Sequence, residues 1–281
     1  MSKTPEKTYE MSPDNILEIR NLSINFGGLK AVDNLSFEVR NKEIFGLIGP
    51  NGAGKTTVFN CITQFYKPTE GEVIYRNREG IAENLVGQKV HNIIRKGLVR
   101  TFQNVELIQE LSVIDNVLVG AHIDFKKGIF AQALKLPGAR KEERLMRQKA
   151  MEVLEFMGIA DMAESLCGGL PYGVRKKVEM ARTLMCEPRI IILDEPAAGL
   201  NDTETDQLTE TIYSIRDKYD CAVLLVEHDM GLVMSVCDRI CAISFGKFLA
   251  CGTPAEIQSD KLVQEAYLGE EMEEEEEADD E

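Results

Sequence analysis

The chain has 281 residues, 44% of them hydrophobic and 28% charged, which is an ordinary composition for a globular protein with its own core. Its longest apolar runs, such as Ile190 to Leu193 and Cys221 to Val226, are far shorter than the roughly 18 to 20 residues that cross a bilayer. Its polar start has no apolar signal segment. We therefore expect a cytoplasmic protein that does not span a membrane by itself.

The net charge of −15 is concentrated at the carboxyl end. The segment from Glu270 to Glu281 holds ten acidic residues and no basic one, which leaves −5 for the rest of the chain. We expect residues 270–281 to form a disordered acidic tail and residues 1–15 to form a disordered lead. A body without a dominant basic face argues against a nucleic-acid partner, because such a protein needs cations to neutralise phosphates.

The seven cysteines indicate neither a disulfide framework nor a metal site. Their number is odd, they lie mostly in apolar segments, and they form no CxxC pair. We expect them to be reduced core residues.

Short apolar strands predict an α/β domain. Leu17 to Ile24 and Leu35 to Val39 form a β-rich opening, and Ile44 to Ile48 is a strand followed by a glycine loop and a helix. Ile190 to Leu193 and Ala222 to Val226 are continuous apolar runs of the kind found in buried parallel sheets.

The middle of the chain is helical instead. No convincing strand pattern occurs from about Ser112 to Cys186, whereas Lys141 to Met157 has helical periodicity. The residues expected on its apolar face are Leu145, Met146, Ala150, Val153, Leu154 and Met157. This change of pattern predicts a helical subdomain inserted into the sheet domain, at about residues 104–186.

A second helix and a hairpin complete the predicted elements. Asn201 and Glu204 have the spacing of a capping box, which predicts that a helix begins there. The residues expected on the inner face of this helix are Leu208, Ile212, Ile215 and Tyr219. Further on, Arg239 to Ser244 and Lys247 to Cys251 predict a hairpin that turns at Gly246.

A glycine-rich segment after the strand Ile44 to Ile48 predicts a site for a nucleoside triphosphate. It matches G-x-x-x-x-G-K-[ST] between a strand and a helix, the context in which this motif is specific. Backbone N–H groups of such a loop surround phosphate oxygens, Lys55 reaches the β- and γ-phosphates, and Thr56 is a ligand for Mg²⁺. The residues expected to bind nucleotide here are Gly49, Pro50, Asn51, Gly52, Ala53, Gly54, Lys55, Thr56 and Thr57.

The strand beginning at Ile190 ends in two adjacent carboxylates, Asp194 and Glu195. In a phosphate-transfer site one such carboxylate can orient the magnesium shell while the next faces an attacking water. By itself an apolar run that ends in Asp-Glu is a common strand end. Together with the phosphate loop it predicts a metal-assisted hydrolysis site.

With these motifs in order, the chain resembles the ATP-binding subunits of ABC transporters over about residues 16 to 252. Gln103 in Arg-Thr-Phe-Gln is similar to the family's Q-loop glutamine, and Leu170 to Val174 occupies the place of the LSGGQ signature. His228 is similar to the switch histidine, Gly199 to Asn201 to the D-loop, and Phe26 to the aromatic residue that stacks on adenine. Each match is weak by itself, and the ordered set carries the resemblance.

The resemblance implies a fold and a set of roles. The implied fold is a P-loop NTPase sheet core with an antiparallel β subdomain and an inserted helical subdomain, followed by a short helical extension over 253–269. Glu195, His228 and Gln103 would act in catalysis, and Thr56, Gln103 and Asp194 would hold Mg²⁺. Phe26, Tyr172 and Gly173 would bind ATP together with the phosphate loop.

Several segments resemble one branch of this family, the G-type ATPase of branched-chain amino-acid importers. They include Asp-Glu-Pro-Ala-Ala-Gly-Leu-Asn from Asp194, Glu-His-Asp-Met from Glu227, and Gly-Thr-Pro-Ala-Glu-Ile from Gly252. An importer of urea or short amides, or a lipopolysaccharide exporter, shares part of this pattern and stays open. A regulatory or structural nucleotide-binding protein without transport is the alternative from another class.

The resemblance also implies partners. They are a second ATPase subunit, in a heterodimer or a homodimer, and two integral membrane permease subunits, with a periplasmic or extracellular solute-binding protein engaged indirectly. The implied location is the cytoplasmic face of the cell membrane.

The signature segment departs from the family pattern. Pro171 stands where the signature has serine, and Val174 stands where it has glutamine. Proline offers neither a hydroxyl nor an N–H group, but it is favoured in the first turn of a helix. We hypothesise that, in a heterodimer, the ATP site completed by this signature hydrolyses ATP more slowly than the other.

Overall fold

A computed structural model describes residues 9–101, 106–121 and 137–267. The strands are β1 (Asn15–Phe26), β2 (Leu29–Arg40), β3 (Ile44–Ile48), β4 (Glu70–Arg76), β5 (Ala82–Asn84), β6 (Leu98–Arg100), β7 (Ile190–Asp194), β8 (Ala222–Val226), β9 (Arg239–Ser244) and β10 (Lys247–Gly252). The α-helices are α1 (Lys55–Ile62), α2 (Val90–Arg95), α3 (Val113–Gly120), α4 (Pro137–Phe156), α5 (Tyr172–Leu184), α6 (Asp202–Tyr219), α7 (Met230–Val236) and α8 (Pro254–Ser259).

The strands form two sheets. One is an antiparallel sheet of four strands in the order β2-β1-β4-β5. The other has six strands in the order β10-β9-β3-β8-β7-β6, parallel except for the hairpin of β9 and β10. Parallel strands direct their carboxyl ends to one edge, so the segments that follow β3, β7 and β8 meet there.

Two hydrophobic cores flank the six-stranded sheet. One lies between it and the antiparallel sheet, where Phe45, Phe59 and Tyr75 are fully buried. The other lies between the opposite face and the helices, where Ile191, Leu225 and Ile212 are fully buried. Because the central strands are covered on both faces, each of β3, β7 and β8 is buried at all five positions.

Most sequence-predicted elements are confirmed. The strands Ile44–Ile48 and Ala222–Val226 have the predicted bounds, and the hairpin turns at Gly246. Asn201 caps α6 in a capping box with Glu204. Three strands escaped prediction, namely β4, β5 and β6.

The inserted region is helical as predicted. Between residues 106 and 186, the described residues contain α3, α4, α5 and two 3-10 turns but no strand. On α4, Ala150 and Leu154 are buried against the core, but Leu145 is 59% exposed, so its predicted place on the apolar face was wrong. Successive helical residues are rotated by about 100°, which turns Leu145 away from the stripe that begins at Met146.

The amino-terminal lead is ordered where the structure describes it. The backbone carbonyls of Met11 and Ser12 accept hydrogen bonds from Arg76, and β1 begins at Asn15. The remaining predicted lead, residues 1–8, and the acidic tail 270–281 lie outside the described residues. Within the described part of the chain, no helix is both long and apolar enough to cross a membrane.

Candidate nucleotide-binding and hydrolysis site

The glycine loop joins β3 to α1 at the carboxyl edge of the six-stranded sheet. At Gly49 an added Cβ would stand 2.1 Å from the carbonyl oxygen of Ile243, so only glycine permits this close approach to β9. Gly54, the residue before α1, has φ +99°, a backbone conformation that favours glycine. The loop therefore leads directly into the N-terminus of α1, where the first backbone N–H groups of a helix favour anions.

Lys55 lies inside this loop. Its side chain is buried, and Nζ donates hydrogen bonds to the carbonyl oxygens of Gly49 (2.5 Å) and Pro50 (2.9 Å). The amine thus lies within the curve of the loop. Asn51 and Thr56 are exposed, and Thr57 is half-buried.

Asp194 lies at the end of β7 and is buried. Oδ2 of this carboxylate forms an ion pair of 2.5 Å with Nη2 of Arg100, a residue at the end of the adjacent strand β6. Nη1 of Arg100 donates a 2.7 Å hydrogen bond to Oδ1 of Asn60 on α1. One guanidinium group therefore connects the helix of the phosphate loop to the strand that carries Asp194.

Glu195 and His228 approach each other although 33 residues separate them in the chain. Oε1 of Glu195 and Nε2 of His228 are 2.9 Å apart. Glu195 directly follows the carboxyl end of β7, and His228 lies two residues beyond the carboxyl end of β8. Because β7 and β8 are adjacent and parallel, their ends bring the two side chains together.

Two buried side chains hold the turn that follows Glu195. Nζ of Lys176 on α5 donates to the carbonyl oxygens of Glu195 and Pro196, and Oε1 of Glu227 accepts from the backbone N–H of Ala197. Burial lowers the pKa of Lys176 from its usual value, against the opposing effect of nearby carboxylates including Glu227. Burial raises the pKa of Glu227, while the N–H groups it accepts from oppose that shift.

Phe26, predicted to stack on adenine, is the last residue of β1. The residue is 44% exposed, and its ring makes an edge-to-face contact with Tyr66, with 5.3 Å between ring centroids. The two rings form an exposed aromatic surface. Of the two residues, only Phe26 was predicted from the sequence.

The signature segment lies at the start of α5. Pro171 is the residue before the helix, Tyr172 is its first residue, and an added Cβ at Gly199 would be 3.1 Å from the Tyr172 ring. A Cβ added at Gly173 would be 2.6 Å from Oε1 of Glu204 on α6. Val174, which stands in place of a polar residue, is half-buried and packs against the helical core. An apolar side chain therefore suits this position.

The donor set fits Mg²⁺ shared with phosphate oxygens. The described residues contain no group of three or more His, Cys, Asp or Glu side chains that could hold a metal alone. An exposed hydroxyl, that of Thr56, and the carboxylate of Asp194 are oxygen ligands of the kind that Mg²⁺ takes beside nucleotide phosphates. Gln103, the third predicted ligand, lies outside the described residues.

Comparison with known proteins identifies the family. The family model for ABC transporters matches residues 32–198. The chain belongs to the ABC transporter family. It is an ATPase cassette of that family and binds nucleotide, and a second model, for branched-chain amino acid ATP-binding cassette transporters, matches residues 249–273 of the cassette.

Individual relatives agree with this assignment. The cassette is 47% identical over 255 residues to the high-affinity branched-chain amino acid transport ATP-binding protein LivG of Salmonella typhimurium, covering 91% of this chain and 98% of that protein. It is 46% identical over 255 residues to BraF of Pseudomonas aeruginosa, the protein of the same description, with the same coverage. The crystal structure of the ADP conformation of an ATP-binding cassette of an ABC transporter superposes with a TM-score of 0.78 at 30% identity, covering 91% of this chain and 99% of that one.

These comparisons confirm the predicted family, the predicted fold class and the resemblance to branched-chain amino-acid cassettes. Three residues that support the site were not predicted from the sequence: Arg100, Lys176 and Glu227. Arg100 could have been found as a charged residue at the end of a buried strand, and Glu227 by its position next to His228. Lys176 lies in a run of three basic residues, so its sequence gives no sign of its burial.

Proposed function

We propose that this cassette is the ATP-hydrolysing subunit of an importer of branched-chain or other hydrophobic amino acids. Support comes from the identity of 46–47% to LivG and BraF and from the match of residues 249–273 to the branched-chain model. A lipopolysaccharide export ATP-binding protein, LptB of Haemophilus influenzae, is 30% identical over a similar length. The larger identity favours the amino-acid importer over the exporter.

Nucleotide binding follows from the loop and the exposed aromatic surface. The backbone N–H groups between Gly49 and Thr57, with the amine of Lys55, bind the phosphates, and the ring of Phe26 stacks on the adenine. Thr56, Asp194 and Gln103 would hold Mg²⁺. When bound, this cation supplies charge neutralisation to the phosphate oxygens as negative charge develops in the transition state.

The single observation that carries hydrolysis is the 2.9 Å approach of Glu195 to His228. Glu195 follows the strand of Asp194, so its carboxylate lies beside the proposed metal position and polarises the attacking water. His228 contacts the γ-phosphate. Its contact with Glu195 also keeps the Glu195 carboxylate directed into the site. Both groups lie just beyond the ends of adjacent parallel strands, whose pairing brings them together.

The working unit is a pair of cassettes on the cytoplasmic face of the membrane. Each nucleotide lies between the phosphate loop of one cassette and the start of α5 in the other, where Tyr172 and Gly173 complete its binding site. The second cassette is a different ATPase subunit or a second copy of this chain. Two integral membrane permeases receive the movement through the segment that contains Gln103, and a solute-binding protein delivers the amino acid to them.

Within the chain, we assign residues 16–252 to the ATPase domain, with the helical subdomain at about 104–186. Residues 253–269 form a short extension of it. We assign residues 1–15 to a lead, whose last residue, Asn15, begins β1, and residues 270–281 to an acidic tail.

The test uses the complete transporter in vesicles. We expect ATP hydrolysis and uptake of labelled leucine that depend on Mg²⁺, and Glu195→Gln should retain ATP binding while its turnover falls by about 100-fold or more. Uptake of labelled urea in place of leucine would contradict the proposed substrate. Turnover retained by Glu195→Gln, or a wild-type complex that binds ATP without hydrolysing it, would contradict the catalytic assignment and favour a structural subunit.

A further inference from the structure

The side chain of Lys176 is buried, which is rare for lysine. Only 6% of its surface is exposed, although lysine is almost never buried without a partner. Its partners are two backbone carbonyls, those of Glu195 at 3.1 Å and Pro196 at 2.7 Å. Burying an amine costs free energy unless its donors are satisfied, and here the satisfied donors bind the two residues that follow β7.

The carbonyls that Lys176 binds belong to a sharp turn. Glu195 has φ +48°, a left-handed backbone conformation that is uncommon for residues other than glycine. The N–H of Ala198 closes the turn with a 3.2 Å hydrogen bond to the carbonyl of Glu195. A non-glycine residue keeps such a conformation only where its surroundings fix it. Lys176 is one of the groups that fix it.

Glu227 binds the same turn through a second set of hydrogen bonds. Oε1 accepts the N–H of Ala197 at 2.5 Å, and Oε2 accepts the N–H of His228 at 3.1 Å. The turn that orients Glu195 is therefore tied both to α5, through Lys176, and to the backbone of His228. Together these contacts determine where the Glu195 carboxylate lies relative to the His228 ring.

We propose that Lys176 is a positioning residue for ATP hydrolysis, which fixes the Glu195–Pro196 backbone so that the Glu195 carboxylate stays directed toward His228. This inference rests on the proposed function, in which Glu195 polarises the attacking water. Lys176 itself touches neither nucleotide nor water in this role.

The position of Lys176 on α5 adds a second consequence. The helix begins at Tyr172, one turn earlier, and Nζ of Lys176 is 5.3 Å from the centroid of the Tyr172 ring. Under the proposed function this end of α5 faces the nucleotide of the partner cassette. Lys176 therefore connects the Glu195–Pro196 turn to the end of α5 that carries Tyr172.

The experiment compares Lys176→Met and Lys176→Arg with Lys177→Met in the assembled transporter. Lys177 is the matched control, because it is the next lysine on the same helix and is only half-buried. Steady-state ATP hydrolysis gives kcat and KM, and retention of labelled ATP gives the Kd and the amount of competent site. All rates are expressed per bound nucleotide, so that loss of folded protein does not lower them.

We expect Lys176→Met to lower kcat about 10- to 100-fold while the Kd for ATP stays within about twofold, because misplacing a catalytic group slows chemistry more than binding. Lys176→Arg retains donors and should recover most of kcat, and Lys177→Met should behave like the wild type. If Lys176→Met does not fold, Lys176→Gln replaces it. Glutamine keeps an N–H donor on a shorter side chain, so its kcat should be lower than that of the Arg variant but not zero.

A kcat of Lys176→Met or Lys176→Gln equal to that of Lys177→Met would overturn the inference and leave the proposed function intact. Equal losses of kcat and ATP affinity, without recovery by Lys176→Arg, would also overturn it, because they indicate general disruption of the helix. A wild-type transporter that does not hydrolyse ATP would refute the proposed function instead. The two failures are therefore distinguishable.

Discussion

Replacement of Arg100 by methionine tests the buried link between β6, β7 and α1. Arg100 and Asp194 are 6% and 4% exposed at their side chains and are joined by a 2.5 Å ion pair. The change removes the cation but leaves the carboxylate buried, and breaking a buried pair in this way costs about 3 to 5 kcal/mol. A domain of this size loses about 2 to 4 °C of Tm per kcal/mol, so Tm should fall by about 6 to 20 °C.

The assay is thermal unfolding followed by circular dichroism at low and high salt, with Arg147→Met as the control. Arg147 pairs with Glu164 at the surface, where the side chains are 43% and 77% exposed, so its loss should cost less than about 1 kcal/mol. High salt should reduce the small effect of Arg147→Met more than the effect of Arg100→Met, because buried pairs are screened less.

A double variant separates loss of the ion pair from loss of packing. Adding Asp194→Asn to Arg100→Met removes the uncompensated charge and should recover at least half of the lost Tm, because replacing both partners is far less costly than removing one. If Arg100→Met unfolded within 2 °C of Arg147→Met, the pair would contribute nothing and the reasoning would be wrong.

Three further predictions concern a helix cap, a carboxylate and a thiol. Asn201→Ala removes the side-chain cap of α6 and should lower the free energy of unfolding in urea by about 1 kcal/mol. Burial raises the pKa of Glu83, but hydrogen bonds from Lys96 and two side-chain amides outweigh it and hold that pKa below its usual 4.5. The stability that Glu83 contributes over Glu83→Gln should therefore be present above pH 4.5 and disappear as the pH falls further. A hydrogen bond with Cys241 lowers the thiol pKa of exposed Cys251, so Cys251 should react first with a thiol reagent at pH 8.

Each of these predictions has a contradicting result. An Asn201→Ala variant as stable as the wild type would show that α6 does not depend on its cap. A constant difference between the wild type and Glu83→Gln from pH 7 to pH 3 would contradict the lowered pKa. A fast-reacting thiol that persists in Cys251→Ser would mean that a buried cysteine is accessible.

The sequence predicted the elements whose signal is local. Strands such as Ile44–Ile48 are continuous apolar runs, and the cap of α6 is set by residues three apart, so neither depends on distant parts of the chain. The strand β4 escaped because it opens with Glu-Gly-Glu, which hides the apolar run from Val73 to Tyr75. The strand β6 has only three residues and is held by its pairing with β7.

The same distinction separates the predicted from the missed residues of the site. The phosphate loop, Asp194 and Glu195 lie in motifs whose spacing is fixed by the chemistry they perform. Arg100 acquires its role from a partner 94 residues away, and Lys176 from two backbone carbonyls that accept without any sequence signature. A lysine with basic neighbours resembles the solvated side of a helix until tertiary contacts bury it. Sequence patterns therefore indicate the reacting groups of the site better than the residues that position them.

The strand order of the six-stranded sheet has a consequence for biosynthesis. The strand that precedes the phosphate loop, β3, has both of its hydrogen-bonded neighbours, β8 and β9, in the last quarter of the chain. A ribosome that has translated only the first 220 residues has therefore exposed a glycine loop whose supporting strand is unpaired on both sides. Such distant pairing slows folding and leaves the edges of the strand open to wrong partners meanwhile. The nascent chain should first retain ATP after Ser244 has left the exit tunnel, so nucleotide capture by stalled chains of increasing length would report completion of the sheet.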